Sequence, residues 1–226
     1  MKSLKCILFG GSGEVGGAVA RELLKSNVCS QLTMIGRRTV DSMQNEAKVK
    51  QFLVDTGSPN FEETVNEIAQ GHDVGISCIG IGSGTAKMSE KQMMEVEVSM
   101  VGKYARGCRA AGIEIFELLT AVGVKETHTD SKIKYYRVLG KKYKTVLDVG
   151  FNKLAVFKPG VIVGNVHTPN WITYFTRLVP DSFGLGNILQ EEVARAFVAH
   201  LENKVDYQKD SVIAYGNKEM KQLIAE

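Results

Sequence analysis

Residues 6–16 read Cys6-Ile7-Leu8-Phe9-Gly10-Gly11-Ser12-Gly13-Glu14-Val15-Gly16. The apolar run 6–9 passes straight into glycine, and Val15, Val19 and Leu23 then recur every four residues. An unalternating apolar run marks a strand covered on both faces, and a four-residue apolar recurrence marks a helix face. The glycines at 10, 13 and 16 therefore fall in a strand-to-helix turn, spaced G-x-x-G-x-x-G. Gly10 permits the tight turn, Gly13 lets a ligand approach the backbone, and Gly16 lets the helix pack close to the strand. The amides and positive dipole end at the helix start suit a pyrophosphate. Gly10, Gly11, Ser12, Gly13, Glu14, Val15 and Gly16 are thus candidate contacts to a dinucleotide. The plainer alternative is a glycine-rich turn that holds nothing. The agreement of strand, loop and helix favours the ligand.

Working outward, further apolar and β-branched runs lie at 32–35, 52–54, 74–79, 113–119 and 154–157. Helical patterns separate them: a stripe of Phe61, Val65 and Ile68, then long segments at 89–111 and 131–148. Strands alternating with helices predict an α/β fold, a doubly wound parallel sheet with right-handed crossovers of Rossmann type. The chain reads as one domain over 1–226, with a dinucleotide-binding core at 1–160 and a loop-and-helix region at 161–226. Pro169, Pro180, Gly184 and Gly186 make that second region irregular before helices at 191–202 and 217–225 close it. Long loops after the last strands usually form the substrate side.

The second strand runs into Gly36-Arg37-Arg38, with no acidic residue between positions 32 and 40. A carboxylate at this point grips the ribose hydroxyls of NAD, whereas arginine accommodates the 2′-phosphate of NADP. Forked guanidinium donors suit phosphate, so Arg37 and Arg38 favour NADP(H) over NAD(H). The bland reading is a solvated basic pair. Asp55, ending the third strand, suits either an adenine amino group or a turn cap. The small residues of Ser77-Cys78-Ile79-Gly80-Ile81-Gly82-Ser83-Gly84 suit either a cofactor lying on the backbone or a plain flexible loop.

Bulk properties exclude several classes. The chain has 226 residues, 44% hydrophobic and 23% charged, with a net charge of +3. That charge suits anionic ligands weakly and gives no basic tract for nucleic acid. No apolar run approaches the roughly 18 residues of a membrane span. The first apolar run starts so soon after Met1 that no cleavable presequence is expected, and the expected location is cytoplasmic or peripheral to an organelle. The cysteines (6, 29, 78, 108) show no CxxC pattern, and Cys6 and Cys78 sit in apolar runs as buried thiols do. His72, His128, His167 and His200 lack metal-ligand spacing.

The segments FGGSGEVGG, MIGRR, GHDVGISCIG, ELLTAVG, FKPG and LVPDSFG make the chain resemble an atypical short-chain dehydrogenase/reductase, nearest the Tat-interacting oxidoreductase group. The resemblance covers nearly the whole chain and implies a Rossmann core that binds NADPH. Carried over by position, it assigns Gly10, Gly13 and Gly16 to the glycine motif and Arg37 and Arg38 to the 2′-phosphate. It also places Pro159 in the loop against the nicotinamide. The catalytic part of the motif is broken. Such enzymes pair a serine after the fifth strand with Tyr-x-x-x-Lys on the next helix, where lysine lowers the tyrosine pKa and holds the ribose. Here the serine positions fall on Thr120 and Ala121, and the tyrosine on Tyr135 with Leu139 in place of lysine. None of the seven tyrosines has lysine four residues on. Lys142, seven residues after Tyr135, lies about 10 Å further along the helix.

Tyr135 and Tyr136 read as packing residues, with Ile133, Tyr136, Gly140, Tyr143 and Leu147 forming an apolar stripe. Lys132, Lys134, Arg137, Lys141, Lys142 and Lys144 read as a solvated basic face. Trp171 reads as core or interface. Three functions remain open. One is a catalytically degenerate NADP(H)-binding protein with a regulatory or assembly role. Another is an active NADPH-dependent oxidoreductase or isomerase of unknown small-molecule substrate, using Thr120, Tyr135 or water as proton donor. The last is a structural subunit that keeps only the fold. The resemblance also implies pairing through helices 89–111 and 131–148, as a homodimer or within a larger assembly.

Overall fold

The computed structural model describes residues 3–82, 88–164, 186–205 and 210–225. The chain forms β1 (Leu4–Phe9), α1 (Glu14–Lys25), β2 (Cys29–Gly36), β3 (Val49–Leu53), α2 (Phe61–Ala69) and β4 (Val74–Ser77). Next come α3 (Glu90–Met94), a π-helical turn (Glu95–Met100), α4 (Val101–Ala110), β5 (Ile115–Leu119), α5 (Lys134–Leu147) and β6 (Lys153–Phe157). It closes with β7 (Val161–Val163), β8 (Asn187–Leu189), α6 (Gln190–Ala199), a second π-helical turn (His200–Lys204), β9 (Ser211–Tyr215) and α7 (Asn217–Leu223). Seven strands make one sheet in the order β3-β2-β1-β4-β5-β6-β9, and every pairing is parallel. This is the doubly wound architecture the alternating pattern predicts.

The unbroken apolar run at 6–9 in β1 has a direct cause. Leu4, Cys6 and Leu8 pack with Val19 and Leu23 of α1 and Phe197 of α6 on one face. Ile7 and Phe9 pack with Phe61 of α2, Tyr104 of α4 and Val146 of α5 on the other. Both faces are dry, so neither parity of the strand can be polar. In the second layer the buried Tyr104 hydroxyl donates to the Ile7 carbonyl at 2.7 Å.

Several expectations are corrected. The strand expected at 52–54 spans Val49–Leu53, and a seventh strand, β9, extends the sheet where none was expected. The segment 89–111 is helical over its length but contains a π-helical turn, and the helix expected from 131 starts at Lys134. The buried face of α5 is Val138, Leu139, Gly140, Lys142, Tyr143 and Val146. Ile133, read as part of the packing stripe, precedes the helix and is 58% exposed. Lys142, read as solvated, is buried because an acidic partner waits for it inside. Trp171, His167, Pro169 and Pro180 lie outside the described residues, as does the stretch 83–84.

Candidate functional site

The chain leaves β1 toward β2 on one side of the sheet and leaves β4 toward β5 on the other. A crevice therefore opens beyond the carboxyl ends of β1 and β4, the point where folds of this type take their ligands. Two cavities fill it. The larger, about 600 Å³, is bordered by Ser12, Gly13, Glu14 and Val15, by Cys78–Gly82 and, at its far end, by Thr120 and Pro159. The smaller, about 150 Å³, runs along Gly10–Ser12 to Gly36, Arg37 and Arg38. Ser12, Arg38, Ile79 and Gly80 border both, so the two are one continuous trough.

The glycine loop builds the floor for steric reasons. Gly10 has φ +96°, and its carbonyl accepts from the Gly13 amide at 3.0 Å, closing the turn. A Cβ on Gly10 would come within 2.9 Å of the Cys78 backbone, and one on Gly16 within 2.1 Å of the Gly10 carbonyl oxygen. Only bare backbone lets β1, the turn and α1 approach this closely. The first intrahelical bond runs from the Gly17 amide to the Gly13 carbonyl. The amides of Glu14, Val15 and Gly16 thus fall in the first turn, ahead of the intrahelical ladder, and Glu14 and Val15 border the larger cavity.

At the other end of the trough Arg37 and Arg38 are exposed and border the smaller cavity. Among the described residues neither is engaged in an ion pair. Asp55 stands apart. Its carboxylate accepts from the Gly57 amide at 2.9 Å, and neither cavity touches it. The turn role describes it, and Thr56 and Phe52 border the trough in its place.

The large cavity ends at Leu119 of β5, at Thr120 and Ala121 just beyond it, and at Tyr135, Leu139 and Lys142 from α5. The Thr120 backbone is held by the Phe157 carbonyl, while its hydroxyl is buried without a partner among the described residues. Tyr135 and Leu139, one helical turn apart, both face the cavity. Partial burial, with the Glu97 carboxylate adding to it, pushes the Tyr135 phenol up to about 12. An activating lysine acts in the opposite direction. Tyr136 faces away from this end and packs edge-on to His128. Cys78 borders the cavity as a buried thiol whose pKa is raised by desolvation, which keeps it unreactive.

Lys142 is the residue that sequence reasoning misplaced. Its ammonium donates to the Ile79 carbonyl at 2.6 Å and to the Glu97 carboxylate at 2.9 Å. The π-helical turn aims Glu97 inward, and nothing in the sequence links it to a lysine 45 positions away. A second buried pair, Glu117 with His200, was equally illegible.

No family model matches the chain. Protein HTATIP2 of Rattus norvegicus is 32% identical over 195 residues, which cover 82% of this chain and 76% of that protein. The chain belongs to the HTATIP2 family. The atypical short-chain dehydrogenase resemblance carried by the glycine loop and the FKPG segment is thereby borne out. A second relative of this HTATIP2-family chain is the FMP52 protein of Debaryomyces hansenii, described as mitochondrial. It is 24% identical over 231 residues, 98% of each chain. The crystal structure of the Bordetella bronchiseptica enzyme WbmH in complex with NAD+ shares the fold. It superimposes with a TM-score of 0.68 at 15% identity, covering 95% of this chain and 75% of that one. Among the described residues no helix is long and apolar enough to cross a membrane.

Proposed function

We propose that this HTATIP2-family protein binds a dinucleotide in the trough, prefers NADP(H), and has lost the carbonyl chemistry of short-chain dehydrogenases in favour of a regulatory or assembly role. The observation that carries the reading is the contrast between the two ends of one trough. The glycine loop and Arg37–Arg38 end is intact and its cations are available for a phosphate. The β5–α5 end presents Leu139 and Ala121 where lysine and serine are required. The pyrophosphate sits at the start of α1 beside Gly13, Glu14 and Val15, and the 2′-phosphate against Arg37 and Arg38, with Pro159 beside the nicotinamide. WbmH, which shares the fold, was crystallised with NAD+, and this supports the choice of ligand class.

Calorimetric titration tests the preference. NADPH is expected to bind at least about tenfold tighter than NADH, the scale of one charge-assisted contact. Arg37→Glu combined with Arg38→Glu removes the difference and leaves the fold intact, since both side chains are exposed. Equal affinities in the wild-type protein overturn the preference.

One observation favours a second reading. The unpartnered Thr120 hydroxyl at the cavity end is a donor that a substrate carbonyl can accept from, and an active NADPH-dependent oxidoreductase uses it in place of the serine. Docking of a second chain on the outer faces of α3–α4 and α5 belongs to the assembly reading. Its setting is cytoplasmic or at an organelle periphery, and the mitochondrial description of the D. hansenii relative supports the latter.

A further inference from the structure

The wall shared by the two cavities is held in place by charge. β4 leaves the sheet after Ser77, the last residue paired with β5, and the Cys78 amide makes a final bond to the Phe9 carbonyl. Ile79 and Gly80, which border both cavities, therefore lie beyond any strand ladder. Backbone polar groups in such a place need other partners. The Ile79 carbonyl takes the Lys142 ammonium at 2.6 Å, and the Ile81 amide donates to Glu97 Oε1 at 2.8 Å. Lys142 and Glu97 are joined at 2.9 Å through Oε2, and their side chains are only 1% and 5% exposed. One ion pair thus grips two peptide groups on either side of Gly80. It ties them to α5 and to the π-helical turn.

A buried pair of this kind contributes little net stability, because desolvation offsets most of the attraction. Its effect is on geometry. A carboxylate and an ammonium with two further hydrogen bonds admit few arrangements of the segment between them, whereas an apolar pair leaves it free to move. π-helical turns inside helices often mark functional positions, and this one carries the carboxylate of the clamp.

We propose that the Lys142–Glu97 pair is a clamp that sets the Ile79–Ile81 backbone at the distance a dinucleotide needs, so that cofactor affinity depends on two positioning residues outside the glycine loop. The proposal rests on the dinucleotide reading above. The clamp senses the backbone wall and not the 2′-phosphate, so its loss weakens NADPH and NADH by the same factor. Loss of Arg37 and Arg38 changes their ratio instead.

The test measures melting temperature and calorimetric affinity for NADPH and NADH on the full chain. Lys142→Met alone lowers the melting temperature by stranding the Glu97 carboxylate. The double variant Lys142→Met with Glu97→Leu removes both charges and recovers most of that loss. Its affinity for both dinucleotides stays at least about tenfold weaker than wild type, a difference that a merely structural role does not leave once stability is restored. Wild-type affinity in the double variant overturns the clamp while leaving the dinucleotide reading in place. No binding by the wild-type protein overturns both. Where the double variant does not fold, Lys142→Met decides at a temperature where its circular dichroism is native. Undiminished affinity there overturns the clamp.

Discussion

NADPH bound to this protein will remain unoxidised when aldehydes, ketones and quinones are offered to it. The phenol at Tyr135 is pushed up to about 12 by burial and by the Glu97 carboxylate, against an ordinary value near 10. A phenol in that setting is a poorer acid and its anion a rarer base, so proton transfer fails in both directions of a carbonyl reaction. Leu139 supplies neither a charge to reverse this nor a donor for the ribose. General acid–base assistance is worth about 10²–10⁴ in rate, so turnover falls to near background. Restoration is the sharper experiment. Leu139 lies one turn from Tyr135 and borders the same cavity as Ala121. Ala121→Ser combined with Leu139→Lys should therefore create NADPH oxidation that neither single change produces. Wild-type turnover that Tyr135→Phe abolishes would show that the site works without its lysine. Wild-type turnover that survives Tyr135→Phe would move the proton donor elsewhere, with Thr120 the first candidate.

The second large effect is on stability. Glu117 sits in the middle of β5, fully buried, and accepts from or donates to His200 Nδ1 at 2.7 Å. Its other oxygen has no partner among the described residues. Removing one member of a buried pair costs about 3–5 kcal/mol, because the survivor stays desolvated and uncompensated. At roughly 2–4 °C per kcal/mol for a chain of this size, His200→Ala should lower the melting temperature by about 10 °C. Replacing both, as Glu117→Leu with His200→Leu, should recover most of it. Burial raises the Glu117 pKa and the contact with His200 holds it down. A raised folded pKa means that the carboxyl's contribution is fully present below the ordinary value near 4 and is lost as pH rises through the folded one. Without His200 that value rises further. The deficit of His200→Ala should then be larger at pH 8 than at pH 5. A deficit under about 1 kcal/mol, or one that shrinks with pH, contradicts this account of the pair.

The central strands were legible because both their faces are dry, which leaves an apolar run at 6–9, 32–35, 74–79, 113–119 and 154–157. The two strands that were misread are the edges. β3 begins Val49-Lys50-Gln51, and Gln51 spends its side chain on the Val40 backbone. β9 exposes Val212 by 53%. An edge strand has a single neighbour and a wet side, so the rule that finds core strands passes over it. The glycine-loop end of the trough was legible because a turn that tight admits only glycine, and that constraint is local. The far end was legible only as an absence: the Tyr-x-x-x-Lys motif can be searched for and missed. What replaced it was not. Lys142 occupies a helix position whose neighbours Lys141 and Lys144 are ordinary surface residues. Only the three-dimensional approach of Glu97 and the Ile79 carbonyl turns it inward.

The central claim, that the trough holds a dinucleotide, is tested most directly by following NADPH fluorescence as the purified, folded protein is titrated in. A saturable enhancement at one site per chain, displaced by unlabelled NADP+ and far less readily by NAD+, is the predicted result. A flat titration for NADPH and NADH alike, from protein with native circular dichroism, would contradict it.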